Sequence, residues 1–276
     1  MALAGNSSAL VRRQLGIRLR RLRLQAGKTL DDVEVAGIAG PTKMWRIEKG
    51  KVPVKVGDIW ALCSLYLASA DVTEALVALA QGSRGGVYWE EYGDLVVPDW
   101  LGLYAGLEGT ARSIQTYHPE LVHGLLQIPE YARAVISSDE RLKPPVVDKR
   151  VAFRLERQRM ALQTEPLPRV SVILGAGALA LQVGSDEIMR AQKEHLLSTA
   201  RQGIVSIRVV PWEAGAYPMR GAFTLLDFDD PDDPAVAYVE IPLGARYMEQ
   251  EAQVQECRYV LSVLHAKSVT IEDYLS

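Results

Sequence analysis

Cysteine is nearly missing from this chain of 276 residues: there are two, Cys63 and Cys257, far apart and without a CxxC spacing. That excludes a disulfide-stapled scaffold and a cysteine zinc site, and it fits a reducing compartment. Histidine is also scarce. The four are His118, His123, His195 and His265, and no pair has zinc-ligand spacing on one helix. His118 and His123 fall in a loop rich in Glu and Tyr with no third ligand, so no metal is expected. Long apolar runs are absent too, the longest being about ten residues near 172–181, too short for a bilayer. Residues 1–10 lack a charged segment followed by an apolar one, so no signal peptide and no membrane association are expected.

Catalytic signatures are missing as well. Gly175-Ala176-Gly177 follows a strand-like run but lacks the third glycine and the later acid of a dinucleotide fingerprint. Ser83, Ser137 and Ser138 have no Gly-x-Ser-x-Gly context. The acids Asp229, Asp230, Asp232 and Asp233 are interrupted by prolines and lack the calcium-loop pattern. We therefore expect neither an enzyme nor a cofactor.

What is present is an uneven distribution of charge. Residues 1–60 hold 12 Lys and Arg against 5 Asp and Glu, while the remaining 216 hold 19 against 29, within a net charge of -3. A basic head on an acidic body points to an anionic partner for the head.

The head reads as five short helices. Leu15, Leu19, Leu22 and Ala26 make one apolar helical stripe, with Arg12, Arg13, Arg18, Arg20, Arg21 and Arg23 on the other faces. Gly27 suits the residue that ends this helix, and Thr29-Leu30-Asp31-Asp32 resembles a capping box that starts the next. Gly37-Ile38-Ala39-Gly40 makes a tight turn, and Pro41 fits the first helical position after it. On that third helix Met44 and Ile47 face inward, Thr42, Lys43 and Arg46 face outward, and Gly50 terminates it. Ile59, Leu62, Cys63 and Tyr66 mark a fourth helix, and Leu76, Leu79 and Ala80 a fifth. The two-helix corner in the middle is a helix-turn-helix pattern, whose second helix carries polar and cationic side chains of the type that read base edges. Lys49, Lys51 and Lys55 just beyond it are placed to grip phosphates.

On "LGIRLRRLRLQAGKTLDDV" and "PTKMWRIEKGK", residues 15–66 resemble the Xre-type, phage-repressor-like helix-turn-helix. The resemblance implies a buried pair between Arg23 and Glu48, and base reading from Pro41, Thr42 and Arg46 with Lys43 beside them. The chain departs from the pattern at 37–40, where the commoner Leu-Gly-Val-Ser is replaced, losing a serine N-cap and a core leucine. Trp45 stands where a small polar residue is usual.

The stretch 81–86, "QGSRGG", reads as a linker. Beyond it Tyr88, Trp89, Tyr92, Trp100 and Tyr104 are read first as core or interface aromatics and second as a partner surface. Helices are expected from Pro98-Asp99 through Leu107, from Ile128-Pro129 onward, and over 148–163. On the last of these Arg150, Arg154 and Arg157 form a stripe, either a solvated face or a contact for an acidic partner. From Pro168 the period changes: "RVSVILGAGAL", "IVSIRVVPW", "GAFTLLDF" and "AVAYVEIP" read as strands, the last two as a hairpin. Ser185 caps a helix through Arg201, and a closing helix covers Met248 to Lys267.

The body also carries a resemblance. "WEEYGDLVVPDW", "GLLQIPEYARAVI", "VILGAGAL", "FTLLDF" and "AVAYVEIPLGARYMEQ" are similar to the effector domain of actinobacterial Xre-type regulators of development and antibiotic production. That resemblance implies a domain without assigned enzymatic activity and a small protein partner encoded nearby. It also leaves room for an antitoxin-like or ligand-sensing role with autoregulatory DNA binding. The expected class is α+β. An all-α helix-turn-helix domain covers 1–80 and a linker 81–86. An effector domain covers 87–276, mainly helical over 87–165 and α+β with a small antiparallel or mixed sheet over 168–276. The expected partner is double-stranded DNA in the cytoplasm, at the nucleoid. One head reaches only a half-site and has little spare apolar surface, so a homodimer through 87–276 is expected.

Overall fold

The computed structural model describes residues 4–80, 99–163, 167–218, 221–229, 234–242 and 244–276. The linker at 81–86, Trp89, Tyr92 and the acidic turn at 230–233 lie outside the described residues. The chain divides into two compact units, Met1–Gly106 and Leu107–Ser276.

In the first unit five helices succeed one another: α1 Ala4–Gln25, α2 Leu30–Val35, α3 Pro41–Glu48, α4 Val56–Leu65 and α5 Ala70–Ala80. Their apolar stripes meet in one core of Leu15, Leu19, Val33, Met44, Ile47, Ile59, Leu62, Cys63, Leu76 and Leu79. Capping chemistry sets the boundaries. Thr29 accepts from the Asp32 amide at 3.1 Å, and Asp32 Oδ2 accepts from the Thr29 amide at 2.7 Å, a full capping box. These contacts hold the Asp32 carboxyl below its ordinary range. Gly50 ends α3 at φ +63, and a Cβ there would lie 2.5 Å from Arg13 Cα. Gly16 on α1 is equally constrained, since a Cβ would lie 2.4 Å from the Ile47 carbonyl. Two glycines thus let the backbones of α1 and α3 meet. The arginines of α1 do not all face water: Arg13 and Arg23 are buried because α1 packs against α3, α4 and α5.

A sixth helix, α6 Asp99–Glu108, carries Trp100 and leads into the second unit. There seven strands are joined by helices: β1 Ser113–His118, α7 Pro129–Ser137, α8 Pro144–Gln163, β2 Arg169–Gly175, α9 Gly177–Ala180, α10 Asp186–Arg201 and β3 Val205–Val210 come first. β4 Phe223–Asp227, β5 Val236–Ile241, β6 Gly244–Met248, α11 Glu251–Lys267, β7 Val269–Thr270 and α12 Ile271–Leu275 follow. The sheet order is β6-β5-β4-β1-β2-β3-β7. β1, β2 and β3 run parallel, and β4, β5, β6 and β7 join antiparallel at the flanks. The α+β class, the mixed sheet and the β4–β5 hairpin match the expectation. The segment expected to be mainly helical, 87–165, holds α6, α7 and α8 in its described part, but it also contains β1, the strand at the centre of the sheet. With seven strands the sheet is larger than the small one expected, and the helices α7 and α8 bury a cluster of their own at Ile136, Val147 and Val151.

The pleat sorts the two faces. Tyr117, Ile173, Val210, Phe223 and Leu225 pack on Val254, Val260, Leu261 and Leu264 of α11. In register with these strands, Thr116, His118, Val172, Leu174, Thr224, Tyr238 and Glu240 belong to the opposite face. Among the described residues no helix is long and apolar enough to cross a membrane.

Candidate nucleic-acid interface

α3 starts without a side-chain cap: Gly40 occupies the N-cap and Pro41 the first helical position. Its inward face is Met44, Ile47 and Glu48, and its outward face is Thr42, Lys43, Trp45 and Arg46. Glu48 locks the helix to α1. Arg23 Nε reaches Glu48 Oε1 at 2.6 Å and Nη2 reaches Oε2 at 2.9 Å, while Nη1 donates to the Lys28 carbonyl at 2.9 Å. The hydrogen bond to Glu48 raises the Arg23 pKa despite burial. A bidentate fork fixes orientation as well as distance, so the pair sets how α3 leaves the domain surface.

The other cations are arranged around that surface. Lys43 Nζ lies 3.2 Å from Asp58 Oδ2 on α4, an exposed pair worth little in water. Lys51 Nζ sits 4.6 Å above the ring of half-exposed Trp45, which orients the lysine beside the helix. Lys49 follows α3 and Lys55 is the exposed N-cap of α4. Pro41, Thr42, Lys43 and Arg46 thus lie on α3, and Lys49, Lys51 and Lys55 in the segment that joins it to α4; of the seven, Thr42, Lys43, Arg46, Lys51 and Lys55 are exposed. Trp45, which the sequence singles out as a departure that packs either on the domain or on a DNA backbone, is half-exposed. Its exposure on a helix otherwise polar outside is the signal that singles it out.

The arginine stripe of α8 is different from either sequence reading. Arg157 is buried and its Nε lies 2.8 Å from Glu108 Oε2, itself almost fully buried. Arg154 donates to the Gln127 side chain, and burial pulls its pKa down to about 10. Arg150 is half-exposed. Arg157 is thus corrected from a partner-binding surface residue to a core ion pair, because α8 packs its arginine side onto the loop 122–128.

That loop is pinned by amides. Gln158 Nε2 donates to the carbonyls of Gly124 at 2.7 Å and Gln127 at 2.8 Å. Gln192 accepts from Ile128 N at 2.9 Å and donates to Leu126 O at 2.7 Å. Gln127 donates to Val122 O at 2.7 Å. The segment "GLLQIP" is thereby satisfied without a strand or long helix. His118 ends β1 and His123 caps the 3-10 turn Gly124–Leu126, so they do not lie in one loop; their rings are 4.7 Å apart. Among the described residues no group of three or more His, Cys, Asp or Glu is arranged to hold a metal.

Comparison with known proteins adds two matches. The family described as Helix-turn-helix domain matches residues 14–76, which run from within α1 into α5. No curated protein and no solved structure matches the chain. The family described as Domain of unknown function (DUF5753) matches residues 101–274, more than half of the length, and the protein belongs to that family, with a helix-turn-helix domain at its N-terminal side.

Proposed function

We propose that the protein is a sequence-specific DNA-binding transcription regulator whose second unit binds a small protein partner rather than a substrate. The helix-turn-helix match supports the regulator, and one geometric observation supports its DNA surface: α3 is clamped by the Arg23–Glu48 fork while Thr42, Lys43 and Arg46 stay outside. In this reading Thr42 and Arg46 touch base edges in a major groove. Lys43, Lys49 and Lys51 hold phosphates, with Lys55 behind them and Pro41 setting the helix start. Two heads on a palindrome, about 34 Å apart, give the affinity a single head lacks, which implies a homodimer held by the body. Arg150, Trp100 and the segment with Trp89 and Tyr92 remain the partner surface in this reading. The resemblance to actinobacterial developmental regulators is the basis for placing a partner there and for placing the protein at the nucleoid.

Two substitutions separate reading from gripping. On a site selected from random duplexes by the full chain, Arg46→Ala should cost about 1–3 kcal/mol and relax one base position. Lys51→Ala should weaken all sequences alike and lower the salt slope by about one unit. Unchanged affinity in Arg46→Ala would refute this docking. Light scattering of the full chain at micromolar concentration tests the dimer, and a monomeric mass would remove it.

A further inference from the structure

The outer face of α3 has a central row and two flanks. Thr42 and Arg46 stand one turn apart on the row. At about 100° per residue, Lys43 falls to one side of it and Trp45 to the other. Each flank carries a lysine, and the two are held by different means. Lys43 Nζ faces the Asp58 carboxylate at 3.2 Å, so its charge is matched within the domain. Lys51 Nζ lies 4.6 Å from the centroid of the Trp45 ring, a contact that holds an ammonium without cancelling its charge. Among the described residues no acid pairs with Lys51.

The backbone prepares the second arrangement. Beyond Glu48 the chain closes a Schellman motif: the Gly50 amide donates to the Ile47 carbonyl at 2.9 Å and the Lys51 amide to the Arg46 carbonyl at 2.9 Å. Gly50 takes φ +63 with its Cα close against α1, so the turn has little room to shift. Lys51 is thereby returned to the last turn of α3. In such motifs the residue after the glycine often makes an apolar contact with the residue six positions before it. Lys51 and Trp45 occupy those two positions, and here the contact is an ammonium on an indole face. Trp45 is 40% exposed while Met44 and Ile47 fill the core, so packing of the domain does not account for an indole at this position.

Resting on the DNA-binding reading above, we propose that Trp45 is a positioning residue for a phosphate contact. Its ring holds the Lys51 ammonium at the border of the groove, which makes Lys51 the principal phosphate grip of this surface and Lys43 a weaker one. A lysine side chain loses rotamer freedom when it grips a phosphate. Lys51 has lost part of that freedom beforehand and keeps its full charge. Lys43 must instead leave or share Asp58, whose carboxylate repels the same phosphate. Because the indole acts through Lys51, its effect is equal on every DNA sequence.

The test titrates the full chain, over a range of salt, with a duplex selected from random sequence and with an unselected duplex. Trp45→Leu keeps an apolar contact for the motif but has no π face. It should weaken both duplexes alike by about two- to fivefold, the size of an exposed cation–π contact. Trp45→Phe keeps a ring and should recover part of that loss. With Lys51→Ala already in place, Trp45→Leu should change nothing further. Lys51→Ala should lower the salt slope more than Lys43→Ala does. A loss from Trp45→Leu that is equal with and without Lys51, or confined to the selected duplex, overturns the assignment, because the indole would then touch DNA by itself. Unchanged affinity in Trp45→Leu, or slopes lowered equally by the two lysine variants, overturns it too. A parent chain that prefers no selected duplex fails at an earlier step: it removes the DNA reading, and this inference with it.

Discussion

Replacing Glu48 with alanine should cost the helix-turn-helix unit about 3–5 kcal/mol, the usual penalty for stranding one partner of a buried ion pair. Both side chains are nearly enclosed, Arg23 at 10% and Glu48 at 4% exposure, so water cannot replace the lost carboxylate. The Arg23 fork would keep only its bond to the Lys28 carbonyl. A unit of this size holds roughly 4–11 kcal/mol in total, so the loss is a large share of its stability. Because Glu48 is the last residue of α3, the damage falls first on the helix assigned to reading DNA. Hydrogen exchange at the α3 amides of the full chain measures it directly: protection should fall by two orders of magnitude or more, since each 1.4 kcal/mol is tenfold. Arg23→Lys separates charge from geometry and should lose less. If Glu48→Ala exchanges like an exposed substitution such as Lys55→Ala, the pair does not hold the helix.

The head was largely legible because its signals are local. The Leu15, Leu19 and Leu22 stripe, the Thr29–Asp32 box, Pro41 at the first helical turn and the glycines at 27 and 50 are local signals, and α1, α2 and α3 lie where these residues put them. The Arg23–Glu48 pair, 25 residues apart, came only from resemblance to a family. The body was less legible for the same reason. "SIQTYH" is short and interrupted by Gln115 and His118, and nothing nearby marks it as a strand. It becomes the central strand through β2, which starts at Arg169, and β4, which ends at Asp227. Pairing and burial override weak local preference there. β6 carries a glycine and an arginine and β7 has two residues, so neither has a strand pattern to read. The arginines of α8 have the spacing of a solvated stripe; only the fold brings Glu108 to Arg157.

Acidification from pH 7 to 5 should destabilise the second unit by about 3–4 kcal/mol, and His118 and His123 should account for it. Their ordinary pKa is 6.5; burial pulls His118 down to about 4 and His123 well below its ordinary value. The Arg157 charge pushes the same way on both, as does Arg154 on His123. Below pH 6.5 the unfolded chain takes up protons that the folded unit refuses. Stability is therefore fully present above 6.5 and falls as pH drops toward the folded values, by up to about 1.4 kcal/mol per pH unit for each imidazole. Glu240 has the opposite sign, since its raised pKa lets the folded unit take a proton first, but its carboxylate reaches solvent and offsets only part of the loss. Four histidines are few enough to follow one by one by NMR. The His118 and His123 resonances should stay in their neutral positions from pH 8 to 5 while the unit remains folded, and urea midpoints should decline over that range. His123→Asn keeps an acceptor for the Leu125 amide, which His123 Nδ1 now receives at 3.4 Å, and removes one titration. It should therefore flatten the decline by about one proton, halving the expected loss. Titration of both imidazoles near 6.5 in the folded protein, or an undiminished slope in His123→Asn, would show that they are not the groups that make this fold acid-labile.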